Sequence, residues 1–244
     1  MLVGIIGDIH GNIEALTATL DYFDRLAVRT IYCAGDVVGY GASPAECINL
    51  IQEMEIPCVC GNHDFYTAFP DKYDRRNVRD DANAVIDWNC RVLSPKQIQW
   101  LAELPKEIIT KDFMITHASC QPYPEWCYVT TTRSAALHML FQKHSLCFNA
   151  HCHVPIIASH TPGKSVSLNF LRNTTIDRQL RTMVGVGAVG QPRDEDPRAC
   201  AVLFNTENGK LNLLRVKYNI TAAQQRIIDK GLPTFLAERL AKGI

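Results

Sequence analysis

The chain has 244 residues, 47% hydrophobic and 20% charged, with 25 Lys plus Arg against 25 Asp plus Glu. That length can bury a large core, and the composition is that of an ordinary globular protein. A net charge of zero, carried by scattered basic residues, argues against a protein that grips nucleic acid by neutralising its backbone, so no nucleic-acid polymer is expected as a partner. The run Arg75-Arg76-Asn77-Val78-Arg79 sits among aspartates and reads as a solvated loop and helix start. Ten scattered cysteines, several in apolar runs and none in a C-x-x-C pair, read as reduced small hydrophobes, which predicts a cytoplasmic location. With no basic n-region, no cleavage site and no apolar run near ~18 residues, neither a signal peptide nor a membrane span is expected.

Leu2–Ile6 is an apolar run stopped by Gly7-Asp8-Ile9-His10-Gly11, which predicts a buried strand and a tight turn. Spacing by two at a strand end predicts that Asp8 and His10 point the same way, as two metal ligands would. A helical period follows over Asn12–Ala27. Thr30–Ala34 reads as a second strand, ending in Gly35-Asp36. Ser43-Pro44-Ala45-Glu46 predicts a helix opened by a capping box. Ile56–Cys60 reads as a third strand, delivering Gly61-Asn62-His63-Asp64. Strand and helix alternating in this way predict a parallel βαβ sheet, with the polar residues gathered at its carboxyl edge.

Beyond this, Phe65–Arg79 reads as loop, and Val78–Leu93 and Lys96–Leu104 as helices, the second opened by a Ser94/Gln97 capping box. Glu107–Ile109 and Phe113–Ile115 read as a hairpin ending in His117. Ser119–Tyr128, with Pro122, Pro124 and Trp126, reads as a loop in the pocket wall. Arg133–His144 reads as a helix, and Leu146–Asn149 as a strand ending in His151-Cys152-His153. Period-two strands then follow over Ile156–His160, Lys164–Phe170, Thr182–Val186, Cys200–Asn205 and Lys210–Tyr218, with a tight turn at Asn208-Gly209. Helices over Thr221–Asp229, capped by Thr221, and Thr234–Ala241 close the chain. No repeat or linker interrupts it, so a single domain over residues 1–244 is expected.

Five blocks in order, Gly7-Asp8-Ile9-His10-Gly11, Gly35-Asp36, Gly61-Asn62-His63-Asp64, His117 and His151-x-His153, resemble the calcineurin-like metallophosphoesterases. Gly35-Asp36-Val37-Val38-Gly39-Tyr40-Gly41 and Val189-Gly190-Gln191-Pro192-Arg193-Asp194 resemble the bacterial phosphodiesterase-like branch. The resemblance implies an α/β fold, a four-layer α/β/β/α sandwich. It also implies two divalent metals, one held by Asp8, His10, Asp36 and His153, the other by Asp36, Asn62, His117 and His151. That donor set, without thiolate, suits Mn, with Fe or Zn as alternatives.

The implied chemistry is attack on phosphorus by a metal-bridging hydroxide. His63 would act as general acid, with Asp64 orienting it. Tyr40 and Arg193 are the substrate-binding candidates, although Arg193 paired with Asp194 or Asp196 is an equal alternative. Tyr40 and Cys60 replace arginines of the protein Ser/Thr phosphatases, which points instead to a small phosphodiester, phosphomonoester or nucleotide substrate. A dinucleoside polyphosphate hydrolase and a non-catalytic scaffold are the two rival readings. Ala150 and Cys152 depart from the family's glycine and threonine. Strain is expected if residue 150 needs positive φ, and the Cys152 thiol should point away from the metals. His138, His144 and His160 read as structural.

Overall fold

The structure, a computed structural model, describes residues 1–122 and 125–244. Pro124, placed above in the pocket-wall loop, lies outside them. The first strand, β1 (Leu2–Ile6), alternates in the burial its pleat dictates. Val3 and Ile5 face one apolar cluster, while Gly4 and Ile6 face another that holds the Phe23 ring. It pairs in parallel with β2 (Thr30–Cys33). On its other side, however, it pairs antiparallel with β10 (Ala199–Asn205). The first sheet therefore runs β2-β1-β10-β11-β8, with β11 over Lys210–Val216 and β8 over Thr174–Thr175. This corrects the expectation of a parallel sheet, because a strand from the far end of the chain takes the place of a third parallel neighbour. Residues 56–60 form only an isolated bridge, Cys33 to Cys58, since Pro57 has no N–H to donate to a ladder.

The second sheet runs β3-β4-β5-β9-β6-β7: Glu107–Ile109, Met114–Thr116, Leu146–Asn149, Arg181–Val186, Pro155–His160 and Ser167–Phe170. Between the sheets, Val3, Ile5, Val202 and Phe204 meet Phe113, Ile115, Phe148 and Val184. The rings of Phe113, Phe148 and Phe204 lie 5.4 to 6.2 Å apart at steep angles, and burial of each ring contributes roughly 1.5–3 kcal/mol. Outside the first sheet lie α1 (Ile13–Arg25) and α2 (Pro44–Glu53). Outside the second, α6 (Thr132–Phe141) packs Ala135 and Met139 on Ile156, Ala158 and Met183. The layers are α/β/β/α, as the resemblance implies.

Several local readings change. Residues 62–68, read as the end of a strand and the start of a loop, form the helix α3 (Asn62–Ala68). After it come α4 (Asp80–Val92) and α5 (Pro95–Glu103), whose Ser94/Gln97 capping box forms as expected. Ser43 makes no side-chain cap bond to α2. The helix α7 (Ile220–Asp229) is capped by Asn219 rather than Thr221, and α8 (Thr234–Glu238) passes into a 3-10 turn. Gly209 turns the chain at positive φ, but β10 and β11 pair only from Phe204 and Leu211 inward, so the turn is longer than two residues. Among the described residues no helix is long and apolar enough to cross a membrane.

Candidate metal centre

The site lies where β1, β2, β4 and β5 end. The expected strand-end alternation is not what aims its side chains. Asp8, His10, Asp36, Tyr40, His151 and His153 all hold left-handed backbone, with φ between 44 and 67°. Such residues cost on the order of 1–3 kcal/mol each unless their surroundings fix them. Here a ladder of backbone bonds does so: the N–H groups of Asp8, His10 and Gly11 donate to the carbonyls of Gly35, Asp36 and Val37, and that of Gly190 donates to the carbonyl of Asp8. Positive φ falls on His151 and His153 and not on Ala150, so the alanine is unstrained; its methyl packs against Gly7.

Asp8, His10, Asp36, Asn62, His63, His117, His151 and His153 are all buried. Three groups of ligand atoms converge within 4.8 Å: Asp8/His10/His153, His10/Asp36/His63 and Asp36/His117/His151. Each of four imidazoles is bonded on one side to a backbone carbonyl. His10 Nδ1 donates to Val38 (3.1 Å), His117 Nδ1 to Ala34 (2.7 Å), His153 Nδ1 to Gln191 (2.6 Å) and His151 Nε2 to Trp126 (2.9 Å). Those bonds commit one proton per ring and turn the other nitrogen inward, where a cation could take it.

Inside, His10 Nε2 and His153 Nε2 stand 3.0 Å apart, and His117 Nε2 lies 3.3 Å from Asp36 Oδ2 and 3.1 Å from Asn62 Oδ1. Asp8 Oδ2 is buried with no hydrogen-bond partner. Two lone pairs at hydrogen-bond distance and an orphaned carboxylate oxygen are the signature of a place built for cations. Where no cation is bound, protons make up the balance. Burial pushes the Asp8 carboxyl up to about 7 and holds His10 and His153 well below the ordinary imidazole range. Against burial, the Asp36 carboxylate raises His117 to about 10, which puts a proton on the Nε2 that faces Asp36. The residues present therefore fit two divalent ions.

Asp64 departs from its expected part. It does not touch the His63 ring, and its two oxygens accept the backbone N–H groups of Asp36, Val37, Val38 and Gly61 at 2.8 to 3.1 Å. It ties the Asp36 loop to the start of α3. His63 lies 4.9 Å from the His10 ring and 4.6 Å from Tyr40, and its Nδ1 is buried without a partner. Arg193 is not paired with Asp194 or Asp196, which bond Arg215 and Arg198. Its Nε donates to Gln191, and its guanidinium lies 5.6 Å from the Tyr40 ring.

Sequence reasoning missed the carbonyls that orient the histidines, since any residue type supplies one. It also missed Tyr128, stacked on His151 at 4.0 Å, and Arg239, 5.7 Å from Tyr40. Cys152 points to the Val129 backbone, and burial pushes its thiol up to about 11, so it is no reactive neighbour of the site.

Residues 1–209 match the calcineurin-like phosphoesterase superfamily domain. The uncharacterized protein MJ0912 of Methanocaldococcus jannaschii is 31% identical over 246 residues, an alignment covering 99% of this chain and 98% of that protein. Among solved structures, a metallophosphoesterase from Sphaerobacter thermophilus is 33% identical with a TM-score of 0.85, covering 100% of this chain and 99% of that one. The hypothetical protein PH1004 from Pyrococcus horikoshii OT3, at 19% identity, shares the fold with a TM-score of 0.80 over 100% of this chain and 98% of its own. The chain belongs to the calcineurin-like phosphoesterase superfamily, whose members are metal-dependent phosphoesterases.

Removing the Asp64 carboxylate strands four buried N–H groups. Asp64→Ala is expected to cost about 3 kcal/mol of stability, seen as a lowered Tm in thermal unfolding, and Asp64→Asn should recover only part of that loss.

Proposed function

We propose that this protein is a dinuclear-metal phosphoesterase that hydrolyses a small phosphodiester or phosphomonoester. The observation that carries the reading is the set of four carbonyl-locked histidines whose free nitrogens meet Asp8, Asp36 and Asn62. One cation would be held by Asp8, His10, Asp36 and His153, the other by Asp36, Asn62, His117 and His151. The mixed carboxylate, imidazole and amide donors favour Mn, with Fe or Zn as alternatives. When bound, the pair supplies Lewis acidity and lowers the pKa of a coordinated water.

The chain's own groups do the rest. Asp36 would serve both ions, and its Oδ1 is fixed by the His63 backbone N–H at 2.8 Å. His63 is the proposed general acid. Its Nδ1 is buried against Gly39, which leaves Nε2 as the atom to protonate the departing oxygen. Burial draws that imidazole below its ordinary value, while Asp36 opposes the shift. The positive charge of Arg193 acts on Asp8, His10, His63 and His153, so it extends into the site. A guanidinium fork beside Tyr40 suits a phosphate oxygen. Ten scattered cysteines with no C-x-x-C spacing fit a reducing compartment, the cytoplasm.

The test is a panel of nucleotides, diesters and monoesters with manganese added. Chelation should abolish hydrolysis and manganese restore it. Protein that holds two metals yet turns over nothing on the panel would point instead to a scaffold. His63→Ala should keep its metal and lose about 10²–10⁴ of the turnover; unchanged turnover would remove His63 from the chemistry. Arg193→Ala should raise KM about tenfold, roughly 1.4 kcal/mol, with Arg193→Lys falling between, as steady-state kinetics will show.

A further inference from the structure

Behind the second sheet lies a cluster that the metal centre does not use. Cys120, His138 and Cys147 bring a ligand-type atom each within 4.8 Å of one another. Cys147 sits on β5, fully buried; His138 is buried on α6; Cys120 is half-buried in the loop after His117. Cys120 also lines a cavity of about 350 Å³, together with Lys106, Gln121, Trp126 and Lys143.

The hydrogen bonds decide what such a trio can do. The backbone N–H of Cys120 donates to His138 Nδ1 at 3.2 Å. That nitrogen must keep its lone pair, so the ring proton sits on Nε2. Nε2 lies 3.7 Å from Cys120 Sγ, and the proton therefore points at sulfur. A zinc ion would need the Nε2 lone pair, which this tautomer does not offer. A thiolate at Cys120 instead receives the His138 Nε2–H, with the Cys147 sulfur, whose thiol bonds the Phe148 carbonyl at 3.6 Å, within 4.8 Å of it. Its neighbours Cys147 and His138 pull the Cys120 thiol down to about 5 against burial, while burial keeps Cys147 a thiol. A nucleophilic thiolate facing a cavity beside a buried protonated thiol is the arrangement of an attacking and a resolving cysteine.

We propose that Cys120 is a peroxide-reactive thiolate that closes a disulfide with Cys147. In the first step the Cys120 thiolate attacks one oxygen of hydrogen peroxide. The O–O bond breaks, hydroxide leaves, and Cys120 carries a sulfenic acid. In the second step Cys147 Sγ attacks that sulfur. The S–S bond forms, the S–O bond breaks, and the sulfenic oxygen leaves as water with the Cys147 proton. The two cysteines lose two electrons and the peroxide gains them. His138 is the positioning residue that keeps Cys120 ionised. The disulfide would join the loop carrying Trp126 to the strand leading to His151, the two partners of one hydrogen bond at the metal centre.

The experiment treats the full-length protein with stoichiometric hydrogen peroxide and maps its cysteines by non-reducing peptide mass spectrometry. The expected product is a Cys120–Cys147 linked peptide pair. In Cys147→Ser, Cys120 should instead be trapped by dimedone as the sulfenic acid. Iodoacetamide labelling of Cys120 in Cys147→Ser should still titrate well below the ordinary thiol value of about 8.5, and a His138→Gln change should move that midpoint up by at least one pH unit. The proposal is overturned if peroxide oxidises other cysteines and leaves Cys120 reduced. It is overturned equally if Cys120 titrates as an ordinary thiol, or if Cys120→Ser costs the protein one equivalent of bound zinc. None of these readouts requires phosphoesterase activity, so they stand apart from the test of function above.

Discussion

The inner nitrogens at this site are turned toward one another because the outer ones are bonded to carbonyls. Val38 and Ala34, both in the connection after β2, and Gln191 and Trp126 each offer a carbonyl, and each orients one ring. The result is unfavourable by itself. His10 and His153 hold nitrogens face to face, and an Asp8 oxygen is buried with nothing to bond. The protein alone can relieve this only by shifting protons, as the raised Asp8 and His117 and the depressed His10 and His153 show. Cations relieve it directly. Their binding would therefore add to the stability of the folded chain, because the unfolded chain holds no such arrangement.

The same demand explains the backbone. Just past the strand ends, left-handed residues turn Asp8, His10, His151 and His153 inward while Cys152 faces Val129 and Ile9 enters the core, and Asp and His tolerate this conformation better than most residues. Asp64 and the ladder between residues 8–11 and 35–37 hold the strained segments in place. Gly61 is needed for the same packing, since a Cβ there would stand 2.1 Å from Asp36 Oδ1. The carboxylate that looks catalytic beside His63 is thus part of the frame.

This division sets what could be seen in the sequence. Polar residues arriving just past apolar runs are a local pattern, with a glycine before Asp8, Asp36 and Asn62 and none before His117 or His151, so the convergence of these residues was legible. Their partners were not, because a carbonyl has no signature in residue type. Pairing was hidden for a different reason: β10 enters beside β1 from nearly two hundred residues away, and period-two patterning gives no partner or direction. In the second sheet β5 and β9 pair in parallel, a direction that period-two patterning does not carry. His138 looked like a core residue of α6, and only the fold shows that its ring bonds Cys120.

Chemical hardness accounts for how the two sites coexist. His117 and Cys120 are three residues apart, yet His117 faces hard oxygens and imidazoles while Cys120 turns toward a different cavity. A thiolate among the metal donors would draw the site toward soft or thiophilic ions and expose the sulfur to oxidation at a redox-active metal. The fold keeps the two apart by geometry. The His117 Nδ1 bond to Ala34 holds that ring against the first sheet, while the Cys120 N–H bond to His138 holds the next turn of chain against α6. One loop thus presents a hard donor to one side and a soft nucleophile to the other, and each is fixed by a backbone contact that leaves its reactive atom free.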